Sequence, residues 1–95
     1  MNIEISKLVG VFAENKDIAR DIRVNIILPS LEKNEEVTLD FSKVESATQS
    51  FIHALISDVI RKKGIGVLDL IYFKNCNETI RKVVEIAIEY MQDHT

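Results

Sequence analysis

Cysteine, proline and glycine are scarce in this chain of 95 residues, which has one cysteine, one proline, three glycines and no tryptophan. A single cysteine excludes an internal disulfide framework, and with it the small secreted folds that depend on one. No glycine-rich linker, low-complexity tract or internal repeat interrupts the chain. We therefore expect a single domain spanning residues 1–95.

A surplus of positive charge is also lacking, because 12 Lys and Arg face 15 Asp and Glu, for a formal net charge of −3. Nucleic-acid binding depends largely on clustered Lys and Arg, so neither a nucleic acid nor a membrane surface is an expected partner. No run approaches the roughly 18 apolar residues of a membrane span. The first 16 residues carry acids where a secretion signal carries bases, so a cytoplasmic location is expected.

Hydrophobic periodicity predicts alternating strands and helices. Strands are expected over residues 1–5, 37–41 and 67–73, and helices over about 15–31, 47–62 and 77–92. A less periodic stretch separates the first strand from the first helix. This order predicts an α/β fold with a sheet of about three to five strands, parallel neighbours and right-handed crossovers. The orientation of the first strand stays open.

Several single residues refine these boundaries. Asn15 is expected to cap the first helix, and Gly64 to end the second. Pro29 lacks an N–H, so the first helix is expected to end near Leu28 or to kink there. The run over 67–73 is apolar on both faces except at Asp69, which predicts a strand that is covered on both sides or central in the sheet.

Two polar loops follow the second and third predicted strands, at the edge where parallel sheets gather functional groups. The first loop runs from Asp40 to Ser50. The second contains Lys74, Asn75, Cys76, Asn77 and Thr79. Both lead into helix N-termini, whose unpaired N–H groups attract anions.

Helix capping is one explanation for these polar residues. Ser46 and Gln49 fit a capping box for the second helix, and Asn75 offers a similar device for the last helix. Capping does not account for Ser50, which directly precedes an apolar position. A phosphate on Ser50 would add about −1.5 to −2 charges in the first helical turn, which would change partner binding with little change of fold.

Catalytic chemistry is poorly supported. Asp69 among apolar neighbours is either a buried carboxylate with a raised pKa or, as is more common, a residue that lies at an exposed strand position or accepts hydrogen bonds from nearby backbone. Cys76 near a helix start is a candidate for a thiol with a lowered pKa. No second carboxylate accompanies Asp69, and neither His53, expected on a solvated helix face, nor His94 is tied to Cys76 by a known signature. Zinc-ligand spacing and glycine-rich phosphate loops are lacking. We expect no enzyme activity, metal or cofactor.

The segment VTLDFSKVESATQSFIHALISDVIRKKG, residues 37–64, resembles the centre of STAS domains, the family of bacterial anti-sigma factor antagonists. In that family a strand ending in LDL or LDF leads through a short loop to a Ser or Thr at a helix N-terminus. The LDF and TQSF pieces resemble more closely a STAS-like family of unknown function that is often encoded near ATP-binding kinase-like proteins. With IARDIRVNI upstream, the resemblance covers about residues 15–91.

The resemblance implies a candidate modification site. STAS antagonists carry a D-S-S/T-G motif, whose Ser is phosphorylated by a partner that is both a serine kinase and an anti-sigma factor. Aligned from LDF, this motif falls on Thr48, Gln49, Ser50 and Phe51, so glutamine replaces the phosphorylated Ser. Ser50 is then the best acceptor, with Thr48 and Ser46 behind it.

The expected function is a non-catalytic interaction module of a bacterial partner-switching system. Its implied partner is a histidine-kinase-like ATP-binding protein of the anti-sigma or serine-kinase type. The binding surface is expected to comprise the exposed side of the second helix and five polar residues, Asp40, Ser46, Thr48, Gln49 and Ser50.

Two alternatives from other functional classes remain open. One is a sensor domain that binds a nucleotide or other small anion between the two loops, with Asn75, Asn77 and Thr79 as its ligand loop. The other is a hydrolase or transferase that uses Cys76 or Asp69. The sequence does not indicate the oligomeric state.

Overall fold

The computed structural model describes residues 1–93, so that His94 lies outside the described residues. The strands are β1 (Asn2–Glu4), β2 (Phe12–Ala13), β3 (Val37–Asp40), β4 (Ser46–Ala47) and β5 (Ile71–Lys74). The α-helices are α1 (Ile5–Val9), α2 (Lys16–Ile22), α3 (Leu28–Glu32), α4 (Gln49–Lys63) and α5 (Glu78–Asp93). A π-helical turn, Arg23–Ile27, joins α2 to α3, and a 3₁₀ helix, Ile65–Leu70, precedes β5.

Three strands form a parallel sheet in the order β1-β3-β5, and the register aligns Ile3 with Leu39 and Leu39 with Phe73. The predicted α/β class and the parallel pairing of neighbouring strands are thus confirmed, and β1 is parallel as well. A second parallel pair, β2 with β4, was not predicted. Each of its strands has only two residues, too few to show an alternating pattern.

Only one face of the main sheet is well buried. Ile3 and Leu39 point to this face and are buried. The helices α2, α4 and α5 pack against one another, with α4 in the middle. The opposite face carries side chains that are exposed or half-exposed, namely Asn2, Glu4, Thr38, Asp40, Tyr72 and Lys74. The strand alternation of one buried and one solvated face therefore holds across the sheet.

The prediction of a strand over 67–73 is wrong in its start and in its place. Residues 65–70 form the 3₁₀ helix, and β5 begins only at Ile71. β5 lies at an edge of the sheet, and β3 is the central strand. A short apolar run fits a strand and a short helix equally well, so its periodicity could not distinguish them. Asp69, on the 3₁₀ helix, is exposed.

The first long helix continues past Pro29 to Glu32, in agreement with the predicted range of about 15–31, so of the two alternatives at Pro29 the end near Leu28 is wrong. The π-helical turn lies immediately before the segment that contains Pro29. Proline cannot donate to the carbonyl four residues earlier, and a π-helical turn is one way in which a helix continues with a changed hydrogen-bond pattern. The prediction that Asn15 caps the start is confirmed, because its Oδ1 accepts from the N–H groups of Asp17 (2.9 Å) and Ile18 (3.3 Å).

Helix α4 is the centre of the core. Six of its apolar side chains are at most 2% exposed: Phe51, Ile52, Leu55, Ile56, Val59 and Ile60. Burial of each contributes about 1.5–3 kcal/mol relative to an exposed position. As predicted, Gly64 ends the helix. Its φ is 86°, and its N–H donates to the Ile60 carbonyl at 2.7 Å.

The packing of α4 leaves little of it open to solvent. Arg23 crosses from the π-helical turn, donates to the Ala54 carbonyl (2.9 Å) and pairs with Asp58 (3.4 Å). His53 and Ser57 are half-buried on the remaining side. The exposed side of this helix, which the sequence predicted as part of the binding surface, is therefore narrow over residues 51–60 and broad only at the two ends of the helix. Among residues 1–93, no helix has the length and apolar character needed to cross a membrane.

Candidate functional site

The β3–α4 loop, residues 41–48, is a polar segment held in place by buried apolar residues. Phe41 and Val44 are buried, and the Val44 N–H donates to the Phe41 carbonyl (3.1 Å) to close a turn. Within this turn Lys43 has a φ of 68°. The left-handed conformation costs a residue with a Cβ about 1–2 kcal/mol. The turn thus holds an exposed lysine in a strained conformation, a feature that is often found at functional sites.

Backbone hydrogen bonds fix the second half of this loop against β2. The Glu45 N–H donates to the Val11 carbonyl (2.7 Å), and the Thr48 N–H donates to the Ala13 carbonyl (2.9 Å). Ser46 lies between them as the first residue of β4 and is half-buried. The loop is therefore an ordered part of the fold.

The β5–α5 loop, residues 75–77, supports the β3–α4 loop from the other side. The Asn75 amide donates to Asp40 Oδ1 (3.0 Å). The Asn77 amide donates to the carbonyls of Glu45 (2.8 Å) and Val44 (3.4 Å). The structure thus brings the two predicted polar loops into direct contact, as their placement after parallel strands predicts.

Both predicted capping devices are wrong in the residue that caps. Thr48 caps α4, because its Oγ1 accepts from the Phe51 N–H (3.1 Å). Ser46 cannot do so, since its pairing in β4 moves the helix start further along the chain. In the β5–α5 loop, Asn77 Oδ1 accepts from the Ile80 N–H (2.9 Å). Asn75 has a φ of 59°, a conformation that asparagine tolerates, and binds Asp40 instead.

Asp40 is a charged group at the junction of the two loops. The Asn75 amide is the main cause that holds the pKa of Asp40 below its ordinary value, and the Ser42 N–H, which donates to Asp40 Oδ1 (2.9 Å), adds to it. Hydrogen bonds to a carboxylate favour its charged form. Asp40 is thus placed at the predicted site, but its carboxylate oxygen already binds two groups of the protein.

The structure supports neither of the two features that a catalytic role of Cys76 or Asp69 would use. Burial raises the pKa of the Cys76 thiol above its ordinary value, and the nearby charge of Arg81 opposes this only partly. The expectation of a lowered thiol pKa is therefore wrong. Asp69 is exposed, so the alternative of a buried carboxylate is wrong and the more common exposed position is found, on the 3₁₀ helix rather than on a strand.

His53 is less solvated than the sequence predicted. It is half-buried, and its ring meets the ring of Tyr90 edge to face, with 5.4 Å between the ring centroids. Within residues 1–93, no three His, Cys, Asp or Glu side chains form a group that could hold a metal ion.

A shallow depression of about 510 Å³ lies at the N-terminus of α4, lined by Gln49, Ser50, His53 and Tyr90. Ser50 is exposed, and its hydroxyl makes no hydrogen bond to a described residue. By contrast, the Thr48 hydroxyl is engaged in the cap, and Ser46 is half-buried in β4. Of the three candidate acceptors, Ser50 is therefore the one with an exposed and unengaged hydroxyl.

Sequence reasoning missed two residues of this surface. Tyr90 comes from α5, 37 positions after His53, and no local pattern indicates that the two rings meet. Lys43 gave no signal because a lysine in a left-handed turn is uncommon. Gln49 lies beside Ser50 in the depression, whereas Thr79 is exposed at the start of α5, next to the other loop.

A family model described as STAS-like domain of unknown function (DUF4325) matches residues 19–81, two thirds of the chain. No curated protein and no solved structure gives a significant match. The resemblance that the LDF and TQSF pieces carry is thus confirmed at the level of the family.

Proposed function

This chain belongs to the family of STAS-like domains, and we propose that it is a non-catalytic docking module of a regulatory, partner-switching system. The partner is an ATP-binding protein of the histidine-kinase-like fold, of the anti-sigma or serine-kinase type. Phosphorylation of Ser50 weakens the binding of that partner or releases it. Asp40 and the β3–α4 loop shape the docking surface, and α4 provides its rigid base.

The observation that carries this proposal is the environment of Ser50. Ser50 is the second residue of α4, exposed beside the depression, and Thr48 satisfies the cap without it. A phosphate at this position would be stabilised by the positive end of the helix dipole, so the fold would change little. A partner that covers the depression would meet about two added negative charges.

The support beneath this surface is consistent with a docking role. The apolar anchors Phe41 and Val44 and the amide of Asn77 hold the β3–α4 loop, while Lys43 and Glu45 stay exposed. A preorganised loop binds with a smaller loss of conformational entropy than a flexible one. The surface therefore consists of the loop and the N-terminal turns of α4 rather than the whole exposed side of that helix.

The anion sensor loses support from the same contacts. The amide of Asn75 donates to Asp40 at the end of β3, and the amide of Asn77 donates to the β3–α4 loop, so both amides are engaged rather than directed at an anion between the loops. Thr79 alone among the predicted ligand-loop residues is exposed without such a bond to the other loop.

The test compares affinity capture from the native lysate by the wild-type chain and by Ser50→Asp, Ser50→Ala and Thr79→Asp. Thr79 is the matched control, because it is the second residue of α5 as Ser50 is of α4. We expect the wild type, Ser50→Ala and Thr79→Asp to hold the same ATP-binding kinase-like protein, and Ser50→Asp to lose it by tenfold or more. Mass spectrometry identifies and quantifies the partner.

Equal capture by Ser50→Asp and the wild type would contradict the switch but leave docking intact. Loss with Thr79→Asp alone would move the docking surface to the β5–α5 loop. Absence of any ATP-binding partner would contradict the proposed function as a whole. Thermal unfolding of each variant shows whether a lost partner reflects a lost fold.

A further inference from the structure

A second cavity, of about 370 Å³, lies between the end of β5 and the first turns of α5. It is lined by Phe73, Asn75, Cys76, Arg81, Val84 and Glu85. None of these residues belongs to the depression at Ser50. The volume falls in the range of small-molecule sites in proteins.

Two opposite charges line this cavity without pairing. Arg81 and Glu85 are one helical turn apart on α5, yet neither forms an ion pair or a side-chain hydrogen bond with any residue in the described part of the chain. Lys82 and Glu78, at the same spacing on the same helix, do pair at 3.5 Å. Opposite charges at this spacing commonly stabilise a helix by pairing. Both side chains are exposed to solvent, so the cavity presents an accessible cationic group and an accessible anionic group at its rim.

Of the four other lining residues, Asn75 is polar and its amide is bound to Asp40, while Phe73, Cys76 and Val84 form the apolar part of the wall. Val84 is buried, and the Phe73 ring stacks on the buried Phe41 ring with 6.3 Å between centroids. Cys76 is half-buried, and its thiol stays protonated at neutral pH because burial raises its pKa. A protonated, partly buried cysteine behaves as a small apolar side chain.

We propose that this cavity binds a small apolar α-amino acid. Arg81 binds the carboxylate, Glu85 binds the ammonium group, and the side chain of the amino acid packs against Phe73 and Val84. A simple carboxylate would meet the negative charge of Glu85 without compensation, and a simple amine would meet that of Arg81. Of these three kinds of ligand, the zwitterion alone pairs with both groups through charge-assisted hydrogen bonds.

The experiment uses Cys76 as a reporter, because it is the only cysteine of the chain. The rate of its alkylation by iodoacetamide is measured for the full chain at pH 8.5, with and without saturating L-leucine. We expect L-leucine to slow alkylation at least threefold. Two analogues test the charges, namely 4-methylpentanoate, which lacks the ammonium group, and L-leucinamide, which lacks the carboxylate. Neither is expected to protect.

Variants assign the two contacts. Arg81→Gln and Glu85→Gln are each expected to abolish protection by L-leucine, and Lys82→Gln, the control on the same helix, to retain it. Each rate is compared with the same variant without ligand, since loss of the Arg81 charge alters the thiol pKa. Protection lacking with L-leucine, L-valine and L-phenylalanine alike would overturn the proposal. So would equal protection by either analogue, or protection that survives Arg81→Gln.

Discussion

The β3–α4 and β5–α5 loops lie at the same edge of the sheet and each begins a helix, but they are built for different tasks. The β3–α4 loop has eight residues, includes the short strand β4 and keeps Lys43 and Glu45 exposed. The β5–α5 loop has three residues, and two of them are asparagines whose amides donate to the other loop or to Asp40. One loop presents a surface, and the other holds it.

The difference shows how similar polar residues acquire different roles. Thr48 and Asn77 both cap a helix, but only Asn77 also reaches back to the neighbouring loop. A cap is a local interaction and leaves the outer face of a loop unchanged. A contact between loops couples their conformations. Loss of the contacts made by the β5–α5 loop should therefore also disturb the β3–α4 loop.

The largest expected effect comes from Phe41, the apolar anchor of the β3–α4 loop, which is 1% exposed. Phe41→Ala should lower the free energy of unfolding by about 3–5 kcal/mol, because it leaves a cavity beneath the loop. Phe73 is the half-buried stacking partner of Phe41, so Phe73→Ala should lower the free energy of unfolding by a smaller amount. Urea unfolding followed by circular dichroism measures both, and a larger loss for Phe73 would contradict the assignment of the anchor.

Asn77, in the β5–α5 loop, both caps α5 and contacts the β3–α4 loop. Asn77→Ala removes a cap and a contact between loops, at a cost of about 2 kcal/mol. Asn77→Ser keeps a capping oxygen but is too short to donate to the Glu45 carbonyl, so it should cost about half as much. Equal unfolding midpoints for the two variants would mean that the cap contributes nothing.

Thr48 tests where α4 begins. Thr48→Ala should cost about 1 kcal/mol, because the Phe51 N–H loses its acceptor. Ser46→Ala should change the free energy of unfolding by less than about 0.5 kcal/mol, as most substitutions away from such contacts do. If Ser46→Ala lowered the free energy of unfolding more than Thr48→Ala in thermal or urea unfolding, Ser46 rather than Thr48 would be the cap.

The smallest effect concerns the contact of Asn75 with Asp40. The pKa of Asp40 is lowered in the folded chain, so this contact stabilises the fold above the ordinary pKa of an aspartate and is lost as pH falls through the lowered value. Asn75→Ala should therefore destabilise the chain more at pH 7 than at about pH 2. Urea unfolding at both pH values checks this, and a difference that grows in acid would contradict it.

Much of the fold was predictable because strong periodic patterns carry it. The alternation of Val37 and Leu39 with polar residues indicated β3, and the apolar stripe from Phe51 to Ile60 indicated α4. The segments that were missed are short. Neither α1 nor β2 has enough residues to show a period, and the 3₁₀ helix before β5 is as apolar as a strand.

The candidate site was predictable as a place but less so in its detail. The polar residues after β3 indicated the β3–α4 loop as the site. Ser50, the predicted phosphate acceptor, has an exposed hydroxyl. The capping residues were misassigned, because a hydroxyl at Ser46 and one at Thr48 look alike until the pairing of β4 with β2 fixes the helix start. Tyr90 joined the site only through the packing of α5 against α4.

The sequence by itself determined the α/β class, the parallel pairing of β3 with β5, the central buried helix and the family to which the chain belongs. These follow from hydrophobic periodicity and local chain preferences, which act over a few residues at a time. The tertiary structure alone decided which polar groups are engaged and which stay available. Asn75, Asn77, Arg81 and Glu85 all look equally available in the sequence, and only the packing of loops and helices showed that the asparagines hold a loop while the two charges face a cavity.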